Sequence, residues 1–207
     1  MSRLPAAARK LQLLDTAAAV FAERGYNGTT TAELAKAAGV SEPIIYRHFK
    51  SKKNLFIELV ERTGDETLAN WQAALNAVVE PAERIVTLIG GNPMVTPRGN
   101  LRYRVIVQAM TEVQDAGIQE ALRRHIAKLH TFLGKELETA QKSGQVSKRF
   151  SAELTAWVLI HIALGYGTLA TLGVPGQGAD SAGRHVDDVI GQLLLGDRNY
   201  KAVAETL

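Results

Sequence analysis

The sequence predicts an all-α protein of about nine helices, with an N-terminal three-helix helix-turn-helix domain followed by a C-terminal helical bundle. Apolar residues recur at spacings of three and four along most of the 207 residues, and no segment alternates as a strand would. Residues 30–52 contain two short helical patterns hinged on Gly39, which is typical of a helix-turn-helix. We place the domains at residues 1–52 and 53–207.

The first helix is predicted from one apolar stripe. Leu11, Leu14, Ala18 and Phe21 lie three, four and three residues apart, and Gly25 provides a stop after them. A fourth helix, starting near Lys52, is expected to dock this small domain onto the rest of the chain, because three helices of this size bury little surface.

The second and third helices carry capping signals. Thr30 and Glu33 form the pattern of a capping box, so the second helix should begin near Thr31, and Gly39 allows a sharp exit. Ser41 can cap the third helix, and Pro43 fits its first turn.

The third helix should have one buried and one exposed face. Ile45 and Phe49 would point inward with Val40, which leaves four residues on the outer face toward a DNA major groove: Pro43, Tyr46, Arg47 and Lys50. Tyr46 and His48 could instead be packing residues. Glu42 could stabilise the helix dipole or accept from a cytosine amino group.

Lys52 and Lys53 stand at the expected start of the fourth helix, where the helix dipole disfavours cations. A DNA phosphate would remove this conflict. The alternative is that solvent screens the repulsion on an ordinary surface.

The remaining helices follow from periodicity and breakers. We expect the fourth to reach about Val79, a short fifth over 82–89, a loop through Pro93, Pro97 and Gly99, and then helices over 101–113 and 118–142. A glycine-rich loop over 173–182 precedes a terminal amphipathic helix.

The segment from Leu13 to Leu55 resembles the DNA-binding domain of TetR-type (tetracycline-repressor-like) transcriptional regulators. The resemblance rests on these elements: Ala17-Ala18, Phe21, Gly25-Tyr26, Thr29-Thr30-Thr31, Ala38-Gly39-Val40-Ser41, Ile45-Tyr46-Arg47-His48-Phe49 and Lys50-Ser51-Lys52. Leu34, Glu42 and Lys53 depart from the residues usual in that family, and Glu42 puts the base preference in doubt.

The resemblance implies a DNA-binding homodimer, more often a repressor than an activator, whose two recognition helices enter successive major grooves of a pseudo-palindromic operator. It implies that Thr31 and Ser41 touch phosphates and that His48 and Lys52 clamp them. It also implies that Glu42, Pro43, Tyr46 and Arg47 face bases or the adjoining backbone.

Charge and composition agree with this prediction. Residues 1–60 hold nine Lys and Arg against five Asp and Glu, whereas the other 147 hold fifteen against sixteen. A basic end on a near-neutral body favours a nucleic-acid partner, although an accidental asymmetry is possible. The absence of cysteine and of a signal-peptide core leads us to expect a cytoplasmic protein.

The uncharged span from Leu154 to Gly173 has two interpretations besides core packing. Its length permits a membrane helix, but His161 and three threonines argue for burial within protein. Together with the terminal helix it could form a four-helix interface with a second copy. The interface candidates are Ala163, Gly167, Val186, Val189, Ile190 and Leu193.

A regulator of this kind is expected to bind a small hydrophobic ligand in its C-terminal domain. The candidates are Trp71, Tyr103, Met110, His130, Phe132, Trp157, His161 and Tyr166, for each of which core packing is the alternative. Ligand binding would swing the helix that begins near Lys52 and change the separation of the recognition helices from ~34–36 Å. No metalloprotease, di-iron, phosphate-loop or nucleophile-elbow motif occurs, so we expect no enzyme, metal or cofactor.

Overall fold

The computed structural model describes residues 4–94, 97–112, 114–170 and 172–196, with the backbone alone at 97–102 and 170. This part of the chain confirms the all-α prediction, because it contains nine helices and one isolated bridge between Ala179 and His185. The helices are α1 (Ala6–Arg24), α2 (Thr31–Ala37), α3 (Glu42–His48), α4 (Lys52–Leu75), α5 (Pro81–Gly90), α6 (Pro97–Thr111), α7 (Ala116–Lys142), α8 (Ala152–Ala170) and α9 (Val186–Leu195).

The chain divides into two compact units. The first comprises residues 1–65 and 101–125, and the second comprises 66–100 and 126–207. The unit that contains α1, α2 and α3 is therefore larger than the DNA-binding domain predicted at 1–52, because the start of α4 and residues 101–125 pack with it. The boundary after Lys52 stays a prediction about function.

Aromatic packing organises the core of the first unit. The rings of Phe21 and Phe56 meet edge to face at 5.2 Å, and Tyr26 lies 4.5 Å from Phe56. The α1 stripe differs from the predicted one, because Leu11 is 51% exposed while Leu13 is buried beside Leu14. The predicted spacing fitted a helix but placed the centre of the buried face incorrectly.

The second unit has a core built by α4, α5, α7, α8 and α9. Its buried members are Trp71, Leu75, Ala82, Ile85, Leu88, Leu129, Leu133, Leu137, Ala140, Val146, Ala156, Ile160 and Leu195. Arg84 contacts Glu136 through two hydrogen bonds of 2.7 and 2.8 Å. The same guanidinium donates to the carbonyls of Leu75 and Val78, so it caps the end of α4.

Two helix ends and one cap differ clearly from the prediction. α4 ends at Leu75 rather than near Val79, and Arg84 donates to the Leu75 carbonyl there. α6 begins at Pro97, within the predicted loop; proline suits a first turn because it needs no amide donor there. Ser41 precedes α3 but its side chain makes no capping hydrogen bond.

Candidate nucleic-acid interface

The start of α2 is fixed by the predicted capping box. The Thr30 hydroxyl accepts from the Glu33 amide at 3.2 Å, and the Thr30 amide donates to the Glu33 carboxylate at 2.8 Å. The Thr30 hydroxyl also donates to the same carboxylate at 2.9 Å. These two hydrogen bonds from Thr30 to the carboxylate hold the pKa of Glu33 below its usual range, and the nearby Arg24 guanidinium adds to that effect. The sequence signal therefore defines the backbone geometry at the residue that precedes Thr31.

The two faces of α3 separate as predicted. Ile45 and Phe49 are buried, whereas Tyr46 is 51% exposed and Arg47 is also exposed. Ser41, Pro43 and Lys50 are exposed as well, and Thr31, Glu42 and His48 are half-buried. Because α2 and α3 pack directly against each other, their exposed residues form one surface, which we call the α2–α3 face.

A hydrogen-bonded cluster joins the starts of α2 and α3 on this face. The Thr31 hydroxyl donates to Glu42 Oε1 at 2.5 Å and lies 3.2 Å from the Tyr46 hydroxyl. A threonine hydroxyl has one proton, so Tyr46 must donate to Thr31 while Thr31 donates to Glu42. The cluster orients the Glu42 carboxylate and leaves its second oxygen to accept from another donor.

Lys52 does not lie at the α2–α3 face as an unattached cation. Its Nζ donates to the carbonyl oxygens of Tyr26 and Thr29 at 3.0 and 2.9 Å. Nζ also lies 4.3 Å from the centre of the Tyr26 ring. The conflict between a cation and the α4 dipole is thus relieved by backbone carbonyls of the same chain, and contact of Lys52 with a phosphate stays a prediction.

The end of α6 and the segment between α6 and α7 contact the same region of the first unit. Asn27 donates to Glu112 at 2.8 Å, Lys53 pairs with Asp115 at 3.3 Å, and Gln108 donates to the Phe21 carbonyl at 2.7 Å. Burial raises the pKa of Tyr26, and the two nearby carboxylates add to that effect. These contacts were not predicted, because nothing local in the sequence relates residues more than sixty positions apart.

The structure separates the eight predicted ligand residues into groups. Tyr103 and Met110 belong to the first unit, and the other six belong to the second. Within the second unit Trp71 stacks on Phe132 at 5.9 Å, and Trp157 stacks between His130 at 4.3 Å and His161 at 6.1 Å. His161 is exposed, and Tyr166 contacts Gly178.

One buried polar pair was missed by the sequence analysis. The Tyr103 hydroxyl lies 2.6 Å from Nε2 of His125, both side chains are buried, and burial raises the pKa of Tyr103. His125 packs so closely on Gly64 that a Cβ there would lie 3.1 Å from its Cγ. His125 shares a helical stripe with Ile118, Ala121 and Leu129, which was a signal available in the sequence.

The predicted dimer residues fall into exposed and enclosed positions. On α9, Val186 and Val189 are exposed and Leu193 is 75% exposed, while Ile190 and, on α8, Ala163 are half-buried. Gly167 is enclosed by Met94 of the same chain, so its small size has an explanation without a second copy. Four further apolar residues of α8 are exposed: Leu154, Val158, Ile162 and Leu169.

Two properties of the described residues bear on other classes of function. These residues contain no group of three His, Cys, Asp or Glu side chains able to hold a metal ion. Ala152–Leu169 of α8 is long and apolar enough to cross a membrane by length and composition, with 22% of that window buried. One such helix is weak evidence for a membrane protein. The burial that we predict for this span from His161 and the threonines is wrong for most of its residues, because the apolar side chains of one side of α8 are exposed.

Comparison with known proteins identifies the N-terminal region. Residues 13–59 match the family model described as bacterial regulatory proteins, tetR family. The transcriptional activator FasR of Mycolicibacterium smegmatis is 37% identical over 84 residues, which are 41% of this chain and 38% of FasR. The repressor KstR2 of Mycobacterium tuberculosis is 36% identical over 77 residues, or 37% of this chain and 38% of KstR2.

The match to these curated relatives spans less than half of their length, whereas the fold comparison covers nearly the whole chain. The structure of AibR in complex with isovaleryl coenzyme A and operator DNA superimposes with a TM-score of 0.68 at 20% identity. It covers 91% of this chain and 98% of AibR. The helical architecture, with an N-terminal helix-turn-helix and a C-terminal bundle, is therefore shared across both units.

Proposed function

We propose that this chain, whose residues 13–59 are a DNA-binding domain of the bacterial tetR family of regulatory proteins, is a sequence-specific transcriptional regulator. The observation that carries the proposal is the α2–α3 face. Tyr46, Arg47 and Lys50 project from it while Ile45 and Phe49 anchor α3 in the core. A helix held in this way can enter a major groove without unfolding its own support.

Each residue of the α2–α3 face receives a role in this proposal. Arg47 and Glu42 meet base edges, Pro43 lies against the bases, and Tyr46 meets the adjoining backbone. Thr31, Ser41, His48 and Lys50 lie where they reach phosphates.

The regulator acts as a homodimer. Solvent-exposed apolar residues on α8 and α9 supply a surface that a second copy would cover, and such surface is otherwise unfavourable in water. Two copies related by a two-fold axis would present two α3 helices to successive major grooves of a pseudo-palindromic operator.

In this proposal the protein is a repressor, and a small hydrophobic ligand releases it from the DNA. The protein acts in the cytoplasm. Two features support the ligand: the aromatic side chains of the second unit, and the isovaleryl coenzyme A and operator DNA in the AibR structure. Ligand and operator must each weaken the affinity for the other by the same factor.

The decisive experiment is a mobility shift on the DNA that flanks the protein's own coding region, at stated salt and with excess unrelated duplex. We expect a discrete complex that survives the competitor, with a stoichiometry of two chains per pseudo-palindrome. Binding that unrelated DNA removes completely would contradict sequence-specific regulation.

Membrane association is the second candidate, because Ala152–Leu169 of α8 meets the length and composition of a span. Fractionation separates the candidates. Recovery in the soluble fraction, with the operator complex intact, supports the regulator, whereas recovery only with detergent-extracted membranes supports the alternative.

A further inference from the structure

The ammonium group of Lys52, a half-buried residue, contacts a backbone turn of the same chain. Tyr26, Asn27, Gly28 and Thr29 form this turn, in which the Thr29 amide contacts the Tyr26 carbonyl at 3.4 Å. Nζ of Lys52 donates to the carbonyl oxygens of the first and last of these residues, Tyr26 and Thr29, at 3.0 and 2.9 Å. The turn connects α1 to α2 and so leads directly into the α2–α3 face.

The directions available to an ammonium group limit what else Lys52 can bind. An ammonium has three N–H donors, and here two of them are taken by the carbonyls. The remaining side of Nζ faces the Tyr26 ring at 4.3 Å, a distance suited to a cation–π contact. A phosphate could therefore bind Nζ only by displacing one of these contacts.

Three further contacts restrain the same turn. The Thr29 hydroxyl donates to the Gly25 carbonyl at 2.8 Å, and Thr29 is buried. A Cβ at Gly28 would lie 2.5 Å from the carbonyl oxygen of Arg24, so the turn passes very close to the end of α1. On its outer side, Asn27 donates to Glu112.

The turn ends one residue before the capping residue Thr30, and Thr31 follows as the first residue of α2. Thr31 holds Glu42, and Tyr46 is within hydrogen-bonding distance of Thr31. A shift of the turn would therefore be passed to the residues that we propose to meet DNA. Lys52 is the side chain that ties this turn to the first residue of α4.

We propose that Lys52 is a positioning residue for DNA recognition, which fixes the 26–29 turn and through it the α2–α3 face, and that it is not a phosphate ligand. This inference rests on the proposed function. It differs from the role implied by the family resemblance, which places Lys52 on a phosphate, and the two roles predict different salt dependences.

The test compares Lys52→Met with Lys53→Met in the full-length chain. Both remove one positive charge from the start of α4, and methionine keeps much of the lysine stem. Lys53 contacts Asp115 rather than the turn, so it is the matched control. The operator Kd is measured over a series of salt concentrations, at a temperature where circular dichroism shows each variant to be folded.

We expect Lys52→Met to raise the operator Kd about tenfold at every salt concentration, which is the size of one displaced base contact. The slope of log K against log salt should equal that of the wild type, because no phosphate contact is lost. A slope lower by about 0.9 would overturn the proposal in favour of a phosphate contact. An unchanged Kd, or one equal to that of Lys53→Met, would overturn it in favour of a role in stability alone.

Lysine acetylation of the wild-type chain, read by mass spectrometry with and without operator, gives a second measurement if Lys52→Met does not fold. Lys52 should react slowly in both states, whereas exposed Lys50 should become protected only with DNA. Fast labelling of Lys52 in the free chain, or protection only with operator, contradicts the proposal. A wild-type chain that binds no operator contradicts the proposed function itself, which is a different result.

Discussion

Replacing Glu42 by glutamine should change which base pair the protein prefers. The Glu42 carboxylate accepts from Thr31 with Oε1, which leaves one oxygen directed by the Thr31–Tyr46 cluster. A carboxylate in the major groove accepts from the amino group of cytosine, whereas glutamine pairs with adenine through N6 and N7. The wild type should therefore prefer cytosine at one position of each half-site, and Glu42→Gln should prefer adenine.

The size of this effect follows from the number of contacts. A bidentate contact discriminates by ~1–3 kcal/mol, and Glu42 has only one oxygen available, so we expect the lower limit of about 1 kcal/mol. That value corresponds to roughly fivefold in the ratio of operator affinities, since 1.4 kcal/mol is tenfold. In a symmetric dimer the two half-sites would together give the square of that ratio.

The assay measures Kd for a panel of operators that differ at single base pairs, at one fixed salt concentration. Glu33→Gln is the matched control, because it also removes one negative charge and glutamine can still complete the capping box. The control should tighten binding equally on all operators. If Glu42→Gln does the same and leaves the ranking of bases unchanged, Glu42 serves only the helix dipole and the reasoning fails.

Three other predictions concern binding and stability. Arg47→Ala should reduce the free energy of operator binding by ~1–3 kcal/mol and relax the preference at one base pair, which a panel of base substitutions would show. Lys50→Ala should weaken binding to all duplexes alike and lower the slope of log K against log salt by about 0.9, which a salt series would show. The pKa values of Asp115 and Glu33 are both lowered. At Asp115 burial acts in the opposite direction, but backbone hydrogen bonds and Lys53 together outweigh it. In the unfolded chain these two carboxylates bind protons at a higher pH than in the folded chain, so the free energy of unfolding should fall as the pH drops below about 4. Equal urea midpoints at pH 7 and pH 3 would contradict this prediction. Gly28→Ala should destabilise by about 1–3 kcal/mol, because its Cβ would lie 2.5 Å from a backbone carbonyl at the end of α1; an unchanged thermal midpoint would refute the close approach.

The helix-turn-helix was predictable because its signals are local. The capping box of Thr30 and Glu33, Gly39 with its positive φ, and Pro43 in a first turn each act within a few residues. These signals stabilise helix ends and turns without contacts from distant parts of the chain. The exposed position of Tyr46 and Arg47 followed from helical periodicity once Ile45 and Phe49 were assigned to the core.

Contacts that join distant segments could not be predicted. The role of Lys52 depends on where the 26–29 turn lies in space, and the Tyr103–His125 pair depends on how α6 meets α7. The helix-dipole conflict at the start of α4 and the family resemblance indicated a phosphate for Lys52, because the sequence does not show which carbonyl oxygens lie near this side chain. Leu11 was placed on the wrong face because it lies three residues before Leu14, whereas the buried face of α1 includes Leu13, Leu14 and Ala17.

Leucine and valine side chains of α8 and α9 are exposed to water. If dimerisation covers them, DNA binding depends on the concentration of the protein in the cell. Under the proposed dimer model, an isolated monomer exposes an apolar surface to solvent and carries only one of the two helices that contact DNA. Diluting the protein then lowers operator occupancy with the square of its concentration while copies are mostly single. Control of the gene would respond to how much regulator a cell makes as well as to any inducer.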